Sequence, residues 1–283
     1  MKDYIELTKP RITWLILMST AVGYFFGHHG AWNIWSILNT IVGTALIASG
    51  TAALNQWYER EADRKMRRTA DRPIPSGRLS ADRALIFGIL LSAAGFAELG
   101  FMLNWLSGLL GLFTLLSYLF LYTPLKQRTP LSTLVGAFPG AMPPIIGYAA
   151  ASGVLDTQAW TLFAILFLWQ FPHFLAIAWM YREDYERAGI VMLPVVQPSG
   201  EATARQIVLY SLALIPVSMA PSLLGMSGKI YFFGALALGL WYLYSGVRVA
   251  FDRTILRARA VLLVSVIYLP LIYGLMLLDR PRL

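Results

Sequence analysis

The sequence predicts an all-α polytopic membrane protein, a single domain over residues 1–283 with nine transmembrane helices. Three observations carry that reading. Hydrophobic residues make up 57% of the chain and charged residues only 13%, against about 25% charged in a soluble domain; the mean hydropathy is +0.60. Apolar runs long enough to cross a bilayer recur from end to end, and no polar segment between them is large enough to bury a core of its own. Finally, lysine and arginine gather on alternate loops, as they do when one side of a membrane collects the positive charge.

Taken in order, the spans are expected at Ile12–Phe26, Ile34–Tyr58, Ala84–Leu103, Trp105–Tyr122, Leu131–Ala151, Trp160–Tyr181, Ile207–Leu224, Ile230–Ala250 and Ala260–Leu278. The segment before the first span, MKDYIELTKPR, is too polar for a cleaved signal, so that span is expected to insert as its own anchor. Only Asn104 and its neighbours divide the third span from the fourth. Charge decides that boundary: with a cytoplasmic N-terminus and nine spans, all of the 23 Lys and Arg except Lys229, Arg280 and Arg282 fall on the inner side. Merging the two spans would scatter them. Among the acids, only Glu98, Asp156 and Asp279 lie within a span or outside. Outer loops such as 28–33, which holds His28 and His29, are short and nearly uncharged.

The chain has no cysteine, which excludes disulfides, thiolate metal sites and cysteine nucleophiles together. Its net charge of +8 is distributed as membrane topology requires, so no nucleic acid is implied.

The longest inner loops hold the chemistry. Leu54–Ser80 opens with Asn55, Glu59 and Asp63, four residues apart. A four-residue helical step turns by roughly 40° and rises about 6 Å, so these side chains share one stripe about 12 Å long. An amide and two carboxylates are hard oxygen donors of the kind Mg²⁺ takes alongside water and phosphate. Arg64, Lys65, Arg67, Arg68, Arg72 and Arg78 follow at once and suit a phosphorylated ligand. A second cluster, Tyr181-Arg-Glu-Asp-Tyr-Glu-Arg-Ala-Gly189, ends the sixth span and sets Glu183, Asp184 and Glu186 at the same depth. Lys126 and Arg128 join from a third loop. Taken singly, each cluster reads as ordinary loop charge, with i, i+4 pairs such as Glu61–Lys65. Gathered on one face, acids beside bases make an anion-and-metal site the better reading. Attraction to lipid headgroups would need the bases alone.

These blocks resemble the UbiA superfamily of intramembrane prenyltransferases, and within it the branch that prenylates haem. The resemblance runs through LTKPRIT at 7–13, Asn55/Glu59/Asp63, DRPIPSGRLS at 71–80, YTPLKQRTP at 122–130, FPGAMPP at 138–144, WQFPHF at 169–174 and DYERAGIVMLPVV at 184–196. It implies nine helices around a central cavity, with two acidic motifs at one rim holding Mg²⁺ and a prenyl diphosphate. Carried over by position, Asn55, Glu59, Asp63 and Asp184 are the catalytic, metal-holding residues, with Glu183 a further metal candidate. The second motif departs from the superfamily pattern: where two acids four apart are usual before Gly189, this chain has Tyr181 and Tyr185. Arg67, Arg68, Arg72, Lys126 and Arg128 fall in loops that look like the diphosphate-binding ones. His173 matches a histidine of the haem branch; it would ligate the iron, lie beside a propionate, or serve only as a structural hydrogen-bonding residue. Pro172 beside it is expected to loosen the sixth span.

The resemblance thus implies an enzyme that moves a farnesyl group from farnesyl diphosphate to a vinyl group of haem b, with Mg²⁺ as cofactor and the lipid bilayer as its medium. A haem A synthase or an oxidase-assembly factor is the protein partner it suggests, and a bacterial inner membrane the location. Two other readings stand beside it: a UbiA-type transferase acting on an aromatic quinone precursor, and a non-catalytic haem or lipid transporter. A transporter would place its ionisable groups near the bilayer midplane rather than at one rim.

Overall fold

The structure, a computed structural model, describes residues 1–281 and is all helical among them. Arg282, one of the three outer basic residues, lies outside the described residues. Nine long helices follow in order: α1 (Pro10–Gly27), α2 (Ile34–Tyr58), α3 (Ala81–Met102), α4 (Trp105–Leu125), α5 (Ser132–Ser152), α6 (Thr157–Met180), α7 (Glu201–Leu223), α8 (Lys229–Phe251) and α9 (Ile255–Leu278). Eight of them, α2 to α9, are long and apolar enough to cross a membrane on their own. The first, with 18 residues that include Arg11, falls short by composition.

Local chemistry sets the boundaries. Asn33, Ser80, Asn104, Asp156 and Thr254 each accept a backbone N–H of the helix they precede, satisfying donors that the first turn leaves free. Asn104 settles the division between α3 and α4: its Oδ1 caps Ser107, and its Nδ2 donates to the Ala149 carbonyl at 2.8 Å. The seventh helix begins at Glu201 rather than Ile207, because helical backbone continues past the apolar run into the polar loop.

Two spans are irregular. The end of α4 is a π-helical turn, Ser117–Tyr122, and α5 breaks at Ala141, between Ser132–Gly140 and Met142–Ser152. Pro139, Pro143 and Pro144 remove donors around that break; Gln170 from α6 donates to the Ala137 carbonyl at 2.8 Å beside it. The helix α6 passes through Pro172 unbroken, so the loosening expected there occurs instead in α5. Across from this break α1 crosses the second half of α5 with backbone on backbone. A Cβ on Gly23 would lie 1.9 Å from the Pro144 carbonyl oxygen, and one on Gly147 equally close to that of Thr20. Small residues are what permit such an approach between membrane helices.

The loops sort to two ends. At one end, Arg78 binds Asp3 and Glu6, Val191 N–H meets the Lys126 carbonyl, and Trp179 Nε1 donates to the Arg253 carbonyl. At the other, Arg280 stacks on Phe25 and Asp279 accepts from Tyr231 N–H. Both acidic clusters lie at the first end.

Candidate active site

The stripe of three polar residues survives a kink. Helix α2 ends at Tyr58 and a short helix, Arg60–Lys65, restarts at once. Glu59 N–H still bonds Asn55 O at 2.9 Å, and Asp63 N–H bonds Glu59 O at 2.8 Å. The i→i−4 ladder therefore continues, and Asn55, Glu59 and Asp63 stay on one side. Asn55 and Asp63 are buried.

Each member has a cationic neighbour from another segment. Lys9 Nζ donates to Asn55 Oδ1 at 3.3 Å, while Asn55 Nδ2 donates to Thr123 Oγ1 at 3.4 Å. Lys126 Nζ lies 2.8 Å from Glu59 Oε1, and Arg72 Nη1 lies 2.6 Å from Asp63 Oδ2. Burial opposes the charge on Glu59, but the ammonium groups of Lys126 and Lys9 hold its carboxyl below the usual range. Burial also opposes the charge on Lys126, and Glu59 outweighs it, keeping that ammonium well above its ordinary value. Lys9 goes the other way. Burial and the Arg72 guanidinium push it down to about 7.

The loop that supplies Arg72 is folded by its own turns. Thr69 Oγ1 donates to the Asp63 carbonyl at 2.8 Å, Ser76 N–H to Arg72 O at 3.0 Å and Leu79 N–H to Pro73 O at 2.9 Å. Gly77 takes the left-handed conformation, φ 78°, which costs glycine little.

The second cluster forms the helix Arg182–Arg187. Of its three acids only Asp184 is buried; Glu183 and Glu186 are exposed. Asp184 pairs with Arg187 and accepts from Arg67 N–H at 3.4 Å, a bond that joins the two acidic segments. Ala62 and Met66 pack against Ala188, Ile190 and Met192, sealing the same junction. Arg67 meets Asp184 through its main chain, its side chain being exposed. Arg68 stacks on Tyr181 and Tyr185. A cavity of about 280 Å³ opens between Glu59, Thr123, Lys126, Arg128 and Ile190. A larger hollow of about 470 Å³, lined by Met1, Tyr4, Ile5, Thr8 and Phe87, is apolar and lies outside this constellation.

Among the described residues no three His, Cys, Asp or Glu side chains sit close enough together to hold a cation by themselves. Each carboxylate is instead held by a base. Asp63 Oδ1, however, is buried and has no hydrogen-bond partner. An orphaned carboxylate oxygen in such a place costs free energy, and a hard divalent cation that keeps its waters and a phosphate as further ligands would satisfy it. Asp63, with Asn55 and Glu59 on its stripe and Asp184 joined to the same segment through Arg67 N–H, offers oxygen donors of the kind Mg²⁺ takes, and Glu183 is exposed.

His173 lies deeper, on α6. Its Nδ1 is 2.7 Å from Ser265 Oγ, and that hydroxyl donates to the Leu262 carbonyl at 2.6 Å. With its one proton so used, the serine accepts from His173, which assigns the proton to Nδ1. The free Nε2 lone pair suits a metal centre and not an anionic propionate.

Sequence reasoning missed Lys9, Thr123, Tyr118 and Tyr122 as members of the site. Lys9 was visible within LTKPRIT, but its inward turn comes from a left-handed backbone, φ 48°, immediately before Pro10. The π-helical turn brings the Tyr118 and Tyr122 rings to 6.0 and 4.4 Å from Lys126 Nζ, and nothing in the local sequence announces a π-turn.

Residues 16–275 match the UbiA prenyltransferase family. The chain is 69% identical to the protoheme IX farnesyltransferase of Solibacter usitatus strain Ellin6076, over 100% of both chains. It is 46% identical to that of Koribacter versatilis strain Ellin345, over 99% of this chain and 94% of the relative. Its fold superposes on a UbiA homologue from Archaeoglobus fulgidus bound to GPP and Mg²⁺ with a TM-score of 0.71 and 17% identity, over 97% of this chain and 99% of the other.

Proposed function

Because the chain belongs to the UbiA prenyltransferase family, we propose that it transfers a farnesyl group from farnesyl diphosphate to a vinyl group of haem b, giving haem O for terminal oxidase biogenesis. One observation carries the reading: Asp63 is buried at the rim with a partnerless oxygen, joined to Asp184 through the Arg67 main chain and flanked by Lys9, Arg72 and Lys126. Such a constellation binds a small polyanion together with a cation.

Asn55, Glu59, Asp63 and Asp184 would hold Mg²⁺, which, when bound, supplies positive charge against the leaving diphosphate. The chain's own cations do the rest. Lys126, Arg72 and Arg128 donate to phosphate oxygens, and Lys9, held on Asn55, adds its charge beside them. These contacts strengthen as the diphosphate gains charge, and each is typically worth about 2–4 kcal/mol. The carbon–oxygen bond of farnesyl diphosphate breaks with its electron pair going to the diphosphate. The haem vinyl group attacks the allylic cation, water captures the cation left on the vinyl carbon, and the proton it loses goes to solvent. The product carries one farnesyl and one hydroxyl group. No side-chain nucleophile is required, in keeping with a chain without cysteine. His173 Nε2 would hold the haem iron, with Ser265 fixing the ring's tautomer.

The distribution of Lys and Arg supports a bacterial inner membrane with the N-terminus and the rim facing the cytoplasm. A haem A synthase or oxidase-assembly factor would receive the product. Purified protein with farnesyl diphosphate, Mg²⁺ and either haem b or 4-hydroxybenzoate tests the acceptor. Farnesylated haem alone is expected. Prenylated 4-hydroxybenzoate would make it a quinone-precursor enzyme, and no diphosphate release with either acceptor would make it a carrier.

A further inference from the structure

The second acidic cluster buries one carboxylate, and its tyrosines hold an exposed guanidinium, that of Arg68, from the first segment. Asp184 is its only buried acid, and its Oδ1 already accepts from Arg187 and from Arg67 N–H. One helical turn apart, Tyr181 and Tyr185 share a face, since Tyr185 N–H bonds Tyr181 O at 3.1 Å. Both rings meet Arg68. Its guanidinium carbon lies 4.7 Å from the centre of Tyr181 and 5.7 Å from that of Tyr185, and its Nη2 donates to Tyr185 Oη at 3.2 Å. Tyr185 is itself seated against the buried cluster of Ala62, Met66 and Ile190. A side chain that would otherwise sample many rotamers thus becomes a fixed positive point.

The two sides of a bound diphosphate would therefore meet different partners. Asn55, Glu59 and Asp63 offer oxygen ligands on one side. On the other, Asp184 is the one inward carboxylate and is already counted among the ligands of the first ion, so no acid is left to cradle a second one. A guanidinium, by contrast, binds phosphate oxygens in pairs and needs no ligands of its own. We propose that Tyr181 and Tyr185 clamp Arg68 as a fixed cation standing where a second metal ion would otherwise be needed, so that the site binds one Mg²⁺ per prenyl diphosphate. Tyr181 and Tyr185 act through Arg68 and are positioning residues. The inference rests on the diphosphate reading above.

The full chain in detergent, with farnesyl thiodiphosphate as an unreactive substrate analogue and Mn²⁺ as a paramagnetic probe, tests it. Titration of free Mn²⁺ by electron paramagnetic resonance is expected to give one ion per protein–analogue complex; two would overturn the proposal. Arg68→Met is expected to weaken analogue binding roughly 10- to 100-fold. Tyr181→Leu with Tyr185→Leu should cause about a tenfold loss beside Arg68 and none beside Arg68→Met. An equal loss in both backgrounds would mean that the tyrosines serve the fold alone. Should the leucine pair fail to fold, Tyr181→Phe with Tyr185→Phe keeps the rings and removes the hydroxyl bond. A loss of about threefold is then expected with Arg68 present and none without it, and equal losses overturn the clamp. If the unmodified protein bound no analogue with metal present, the diphosphate reading itself would fall; binding with two ions would remove only this inference.

Discussion

Arg72 donates to Asp63 Oδ2 at 2.6 Å while Oδ1 of the same carboxylate, equally hidden from solvent, meets no donor. Half of this carboxylate is neutralised by the protein and half is left over. A cation bound there would complete the carboxylate, and that sets the first expectation. Asp63→Asn keeps the shape and removes the charge. Turnover of farnesyl diphosphate is expected to fall by roughly 10²- to 10³-fold at a temperature where the variant is still folded, although losing the charge that Arg72 faces lowers its unfolding temperature. Near-normal turnover would remove Asp63 from the site.

Lys126 and Glu59 form the other largely buried pair, with side chains 13% and 12% exposed. Removing one partner of a buried pair costs about 3–5 kcal/mol, because the other charge stays behind. Lys126→Met should therefore lower the unfolding temperature of the metal-free protein, and adding Glu59→Gln should recover most of the loss. If the double variant is no more stable than Lys126→Met alone, the two groups are not coupled.

His173 gives a spectroscopic expectation. With the proton on Nδ1 and Nε2 free, added haem b should show the Soret position of a nitrogen-ligated iron, and His173→Ala should abolish it. Ser265→Ala, which releases the tautomer, should weaken haem binding by a few-fold without abolishing the signature. An unchanged spectrum in His173→Ala would assign the histidine to structure alone.

The crossing of α1 and α5 gives a test of the fold. Gly147→Val places side-chain atoms on the Thr20 carbonyl, against which even a Cβ would lie 1.9 Å away. Overpacking of this kind costs typically 1–3 kcal/mol. A lowered unfolding temperature is expected, and an unaffected one would mean that the two helices stand further apart.

Much of this was readable from the chain itself, and the limits have physical causes. Hydrophobic run length and the placement of Lys and Arg reveal nine helices, and Asn104 marks the α3–α4 boundary because a capping amide acts on its own neighbours. The stripe of Asn55, Glu59 and Asp63 was legible for the same reason: a four-residue spacing is a local property. The break at Ala141 was not foreseen, since Pro139, Pro143 and Pro144 were read only as part of a family resemblance, and Pro172 drew attention to the wrong helix. Contacts between distant segments were out of reach. No spacing rule tells that Arg68 would find Tyr181 and Tyr185, or that Lys9 would turn inward to Asn55. Glu183 and Asp184 are adjacent in sequence; only the packing of Ala62 and Met66 against Ala188 and Ile190 decides which one faces in.

The most direct test is mass spectrometry of the haems extracted from cells that express the protein and otherwise make only haem b. The account predicts a new haem heavier than haem b by one farnesyl and one hydroxyl group, present with the unmodified chain and absent with Asp63→Asn. Unaltered haem b in both, or the same heavier haem in both, would contradict it.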